Sequence, residues 1–179
     1  IVSRPSDEGA FQTLLFIPSA FGGNNKDTWA WVACDAPLLL HALISFRLED
    51  DPSVKKALIH LINQVDENGF RCRAATELGR FRGPGKRDDP CPIANLFALK
   101  ALSLIPSNEN LPAASRAAEM LLDHWASEWG KKYYLFGVGK KYRRLKYPFV
   151  WYDLLHVMDV LSRFQFVHSD ERFHEMVRV

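Results

Sequence analysis

PIANLFALKALSLI (Pro92–Ile105) begins at a proline and is apolar almost all the way round. Proline suits the first turn of a helix, where its missing N–H leaves nothing unpaired. A helix with no polar face must be enclosed on most sides. Two other runs have the same form: PLLLHALISFRL, from Pro37, and PFVWYDLLHVMDVL, from Pro148. The three prolines are spaced 55 and 56 residues apart. Spacing this regular predicts a repeat built around three buried helices.

Each buried run is followed by a segment with a single apolar side. In DPSVKKALIHLINQV, Asp51 is placed to cap the helix and Pro52 to open it, and Val54, Leu58, Leu61, Ile62 and Val65 form one stripe. LPAASRAAEMLLDHWASEW and SDERFHEMVRV hold the same place in the next two units. Extended stretches rich in glycine and aromatics join the units: EGAFQTLLFI, ENGFRCRAATELGRFRG and KKYYLFGVGKKYRRLKYP. They predict short strands or hairpins at one end. The fold expected over residues 1–179 is therefore a single all-α domain, with inner and outer helices paired in about three repeats. Because the chain starts at Ile1 without a methionine and ends inside a helical pattern, it reads as a piece of something longer.

Charge is unevenly distributed. The net charge is only +2, yet residues 131–146 hold seven Lys/Arg and no acid, and residues 71–87 hold six Lys/Arg against Glu77 alone. Since the units repeat, the two basic junctions are expected on one face, as a cationic rim for an anionic ligand. Its members are Arg80, Arg82, Lys86 and Arg87 from the first cluster and Lys140, Lys141, Arg143 and Arg144 from the second. Interleaved Tyr133, Tyr134, Phe136 and Tyr142 keep nucleic-acid binding as an alternative, since cations neutralise phosphates and aromatic faces stack on bases. A non-catalytic interaction module is the other alternative.

Several classes are excluded or unsupported. No apolar run reaches the roughly 18 residues of a membrane span. GRFRGPGKR (Gly79–Arg87) is one residue too long for a P-loop and has Arg87 in place of the Mg²⁺-binding hydroxyl. GxSxG and HExxH do not occur. Three cysteines, an odd and low number, argue against a disulfide framework and for a reducing, cytoplasmic setting. If the caps share one end, Cys34, Cys72 and Cys91 converge with Asp35 or Asp89 in a structural zinc set.

The helix rhythm and the turn INQVDENGFRC (Ile62–Cys72) resemble the α/α-toroid superfamily of terpenoid (squalene) cyclases and protein prenyltransferase β subunits. The resemblance implies an incomplete toroid, completed by a second copy or by further repeats. It also implies an isoprenoid or other apolar phosphorylated ligand. FRGPGKRDDPC (Phe81–Cys91) is similar to the prenyltransferase loop that grips the lipid diphosphate and leads into two zinc ligands. By that likeness Arg82 and Lys86 take the cationic positions and Asp89 and Cys91 the metal positions, with His156, Cys34 or Cys72 as candidate third ligand. LEDD (Leu48–Asp51) has leucine where the squalene-cyclase Asp-x-Asp-Asp has its first acid. Any enzyme activity implied is therefore prenyl transfer and not proton-initiated cyclisation.

Overall fold

The computed structural model describes residues 3–81, 88–105, 111–127 and 153–179. Over these residues the chain is mixed α/β and not all-α. A first hairpin pairs β1 (Thr13–Phe16) with β2 (Asp27–Ala30), Leu14 standing opposite Trp29. Helices α1 (Ala36–Ser45) and α2 (Pro52–Asn63) follow. A tight second hairpin then pairs β3 (Val65–Asp66) with β4 (Gly69–Phe70). After it come α3 (Pro92–Leu102), α4 (Leu111–Ala126), α5 (Leu154–Leu161) and α6 (Glu171–Val177).

The expected toroid of paired helices is overturned by this arrangement. Among the described residues two antiparallel sheets accompany six α-helices. Helix α3 does not line a ring: α1, α4, α5 and β4 all pack on it, and nine of its eleven residues are buried. The stretches read as end-caps contribute to the body of the fold. Residues 70–75 run between two neighbours, with Val32 bridged to Ala74 on one side and Arg71 to Pro90 on the other. Pairing of these extended segments satisfies backbone groups that would otherwise be buried unbonded, which is why they belong to the body of the fold and not to caps at one end.

The helix signals in the sequence mostly hold at the level of local chemistry. Asp51 is extended and its carboxylate accepts from Ser53 N–H at 2.7 Å, with Pro52 in the first turn of α2. Asp170 caps α6 by accepting from Arg172 N–H at 2.8 Å. The helix expected from Pro148 is different. Asp153 is extended (φ −146°, ψ −178°) and caps α5 by accepting from His156 N–H at 2.9 Å, so that helix begins at Leu154. His156 is consequently in the first turn of α5.

One buried side chain joins the second hairpin to α3. The amide of Asn95, fully buried, accepts from Phe70 N–H and donates to Phe70 C=O, both at 2.8 Å. Its NH₂ also donates to Cys91 C=O at 2.8 Å. Asn95 thus supplies β4 with the ladder partner that a neighbouring strand would otherwise provide. Gly69 makes the approach possible: it sits at φ +95°, and a Cβ there would lie 2.4 Å from Asn95 Oδ1. A cap of another kind holds α6. Arg172 reaches Glu119 and Asp123 on α4, each at 2.7 Å, and Asp170 at 2.8 Å.

Two predictions follow from these contacts. Asn95→Ala leaves the Phe70 N–H buried without a partner, while the Phe70 C=O keeps the Cys91 N–H, so stability should fall by about 2 kcal/mol. Urea unfolding should show a lower midpoint with an unchanged slope. The Arg172 guanidinium also lowers the Asp170 carboxyl below its ordinary value, chiefly through their side-chain hydrogen bond. A depressed acid contributes stability that is present above its unfolded pKa of about 4 and is lost as pH falls through the folded one. Thermal unfolding between pH 5 and pH 2.5 should therefore decline more steeply in the wild type than in Arg172→Met.

Candidate functional site: an arginine cleft beside an apolar crevice

The segment Arg71–Ala74 is bridged at both ends, and Arg71 and Arg73 both turn toward Asp66. Asp66, brought back over the segment by the β3–β4 hairpin, takes both guanidiniums. Arg71 Nε lies 2.9 Å from its Oδ2, and Arg73 Nη2 spans both oxygens at 2.8 and 2.9 Å. Arg71 also reaches Asp88 at 2.7 Å, and Arg73 donates to Gln64 Oε1 at 2.9 Å. The planar forks are fixed in place before any ligand arrives.

Arg80 enters the same cleft from a different direction. The short 3₁₀ turn Thr76–Leu78 ends at Gly79, whose φ of +82° turns the chain, and Arg80 N–H donates to Gly22 C=O at 2.8 Å. A Cβ on Gly79 would stand 3.0 Å from Gly22 O, so a larger residue would push the two chain segments apart. Arg80 is exposed, and among the described residues it is the one of the three arginines without a carboxylate partner. With Glu8, Gln64, Trp31, Cys72 and Phe81 the three arginines line an open cleft of about 940 Å³.

Next to the cleft is an apolar crevice of about 30 Å³. It is walled by Phe11, Trp31, Ala36, Pro37, Leu40, Ala57, His60 and Phe70, among others. By water-sized accounting it has room for about two or three heavy atoms. Trp31 and Gln64 border both spaces. His60 meets the edge of Trp31 with ring centroids 4.9 Å apart. Burial holds His60 below the ordinary histidine value, against a smaller upward pull from Glu8.

The residues expected to form a rim or bind metal are placed as follows. Arg80 lines the cleft. Arg82, Lys86, Arg87, Lys140, Lys141, Arg143 and Arg144 lie outside the described residues. Asp89 is half-buried beside the bridge at Pro90, and Cys91 is buried with its N–H donating to Phe70 C=O at 2.8 Å. His156 lies on α5 with Nδ1 3.8 Å from Asp153 Oδ1. Cys34 follows Val32 and Cys72 precedes Ala74 of the Val32–Ala74 bridge, and both pack against the main apolar cluster. No group of three or more His, Cys, Asp or Glu suited to a metal gathers among the described residues. No helix is long and apolar enough to cross a membrane, again among the described residues.

The sequence reading missed Asp66, Gln64 and Trp31 as parts of a site. Asp66 and Gln64 precede the basic segment by only a few residues, and the NGF turn between them was the available signal that they fold back over it. Comparison with family profiles, curated proteins and solved structures yields no match.

The His60 environment gives a prediction. A histidine whose folded pKa is depressed contributes stability that is complete above its unfolded value of about 6.5 and is lost as pH falls below it. Chemical denaturation should show the wild type weakening between pH 7 and pH 5. The profile of His60→Gln should be flatter over that range.

Proposed function

We propose that this chain binds a small amphiphilic anion, a phosphate or diphosphate ester with a short apolar group. The observation that carries the reading is the shared wall: Trp31 and Gln64 border both the arginine cleft and the apolar crevice. One ligand can therefore place its acidic oxygens against guanidiniums and its apolar end beneath Trp31. Paired and forked N–H donors suit phosphate oxygens, and charge-assisted bonds are about twice as strong as neutral ones.

Arg80 is assigned the largest share of the grip. Arg71 and Arg73 are already engaged by Asp66 and Asp88, so an anion must share them. Their role is to fix the far side of the cleft. The crevice volume limits the apolar part to the end of a branched short chain; a long isoprenoid would have to continue outside it or displace Trp31. This reading keeps the apolar phosphorylated ligand suggested by the sequence and concerns binding alone.

Titration calorimetry with inorganic pyrophosphate and with dimethylallyl diphosphate tests it. The ester should bind more tightly than pyrophosphate, and raising salt should weaken both. Arg80→Ala should weaken both by about tenfold or more, the value of a charged hydrogen bond. Ala36→Leu, which fills the crevice, should weaken only the ester. Equal affinity of the two ligands, unchanged by Ala36→Leu, would remove the crevice from the site. No binding of either at millimolar concentration would end the proposal.

A further inference from the structure

We propose that Cys34 and Cys72 are a redox pair that closes to a reversible disulfide, tying the arginine segment to the entry of α1. The antiparallel register supplies the geometry. Ala33 N–H donates to Arg73 C=O at 2.8 Å, and Ala75 N–H donates to Trp31 C=O at 2.9 Å. These two bonds flank the Val32–Ala74 pair and make it non-hydrogen-bonded, the kind whose Cα atoms lie about 4.5 Å apart. Beyond that pair the chain turns through Ala33–Asp35 into α1, so Cys34 directly follows, and Cys72 directly precedes, the two residues joined by the Ala33–Arg73 bond. A disulfide needs Cα atoms roughly 4.4–6.8 Å apart, a separation open to two residues that flank one backbone hydrogen bond.

Three other features agree. Both cysteines pack against the same apolar cluster. The thiols are near enough for charge on Cys72 to raise Cys34, which burial, and then Asp35, hold up at about 12. Only Cys72 of the two lines the open cleft. Cys91 is fully buried and stands on the opposite edge of the 70–75 segment, bonded to Phe70.

The chemistry has a defined order and needs a small-molecule disulfide as oxidant. The Cys72 thiolate attacks one sulfur of that disulfide from the cleft, forming a mixed disulfide and expelling one small thiolate. The Cys34 thiol then gives its proton to solvent or buffer base and attacks the Cys72 sulfur. The Cys34–Cys72 bond forms and a second small thiolate leaves. The protein pair loses two electrons and two protons, and the small disulfide is reduced to two small thiols. The raised Cys34 value makes the second step slow at neutral pH, with a rate that climbs about tenfold per pH unit through pH 7–9.

The test is exposure of the native full chain to glutathione disulfide, followed by alkylation, intact mass measurement and peptide mapping. The expected product has lost two hydrogens, carries a Cys34–Cys72 cross-link and is restored by dithiothreitol. Cys91→Ser should leave the cross-link intact. Cys34→Ser should stop the reaction at a glutathione adduct on Cys72, and Cys72→Ser should suppress it at least tenfold. Circular dichroism of each variant before oxidation distinguishes a lost reaction from a lost fold. Should either single variant not fold, the wild-type peptide map decides by itself. A cross-link involving Cys91, a stable adduct on Cys72 in the wild type, or oxidation only in denaturant would each overturn the pairing.

Discussion

The carboxamide of Asn95 is the contact on which the architecture depends. It meets both backbone groups of Phe70 at 2.8 Å and a carbonyl of its own first turn at the same distance. A two-residue strand pair such as β3–β4 has almost no pairing energy of its own. Fixing β4 to the most buried helix gives that hairpin a definite place. The extended segment after it then has a defined start, from which it runs between the residues near Val32 and those near Pro90. Placement of Arg71, Cys72 and Arg73 follows from that start. A buried amide is affordable here because its three bonds are all made.

Much of the helical content could be read from the chain. The Asp51–Pro52 start of α2 and the apolar all-round character of α3 are local properties, and local rules describe them. The way these helices assemble was not legible. A repeat of helix pairs implied a ring, but Asn95 looks in sequence like an ordinary polar residue on an apolar helix. Its role depends on a glycine 26 residues earlier, Gly69, whose missing side chain leaves the space. Asp153 shows a different limit. It lies inside a continuous apolar run and reads as part of a helix, yet its carboxylate does better capping the first turn of α5.

The site was legible as a charge excess and illegible as a geometry. Counting cations found the segment that carries Arg71, Arg73 and Arg80, but it treated the acids before the turn as a separate population. In space Asp66 lies between two of those arginines and removes much of their free charge. Trp31 was equally ambiguous, since a buried tryptophan reads the same whether it fills a core or divides two cavities. The Asp66 error has a local cause: a tight hairpin reverses chain direction within four residues and places sequence neighbours face to face.

Helix α6 illustrates how a short element can exist at all. Seven residues are too few to be helical in isolation, because nucleation costs more than so few bonds return. Phe173 and Met176 give it a small apolar footing, and Arg172 binds it to two acids on α4. Its order is thus borrowed from another helix. Such an element belongs to the last part of the chain to lock and the first to release, so amide exchange near residues 171–177 would report on the α4 surface more than on the core.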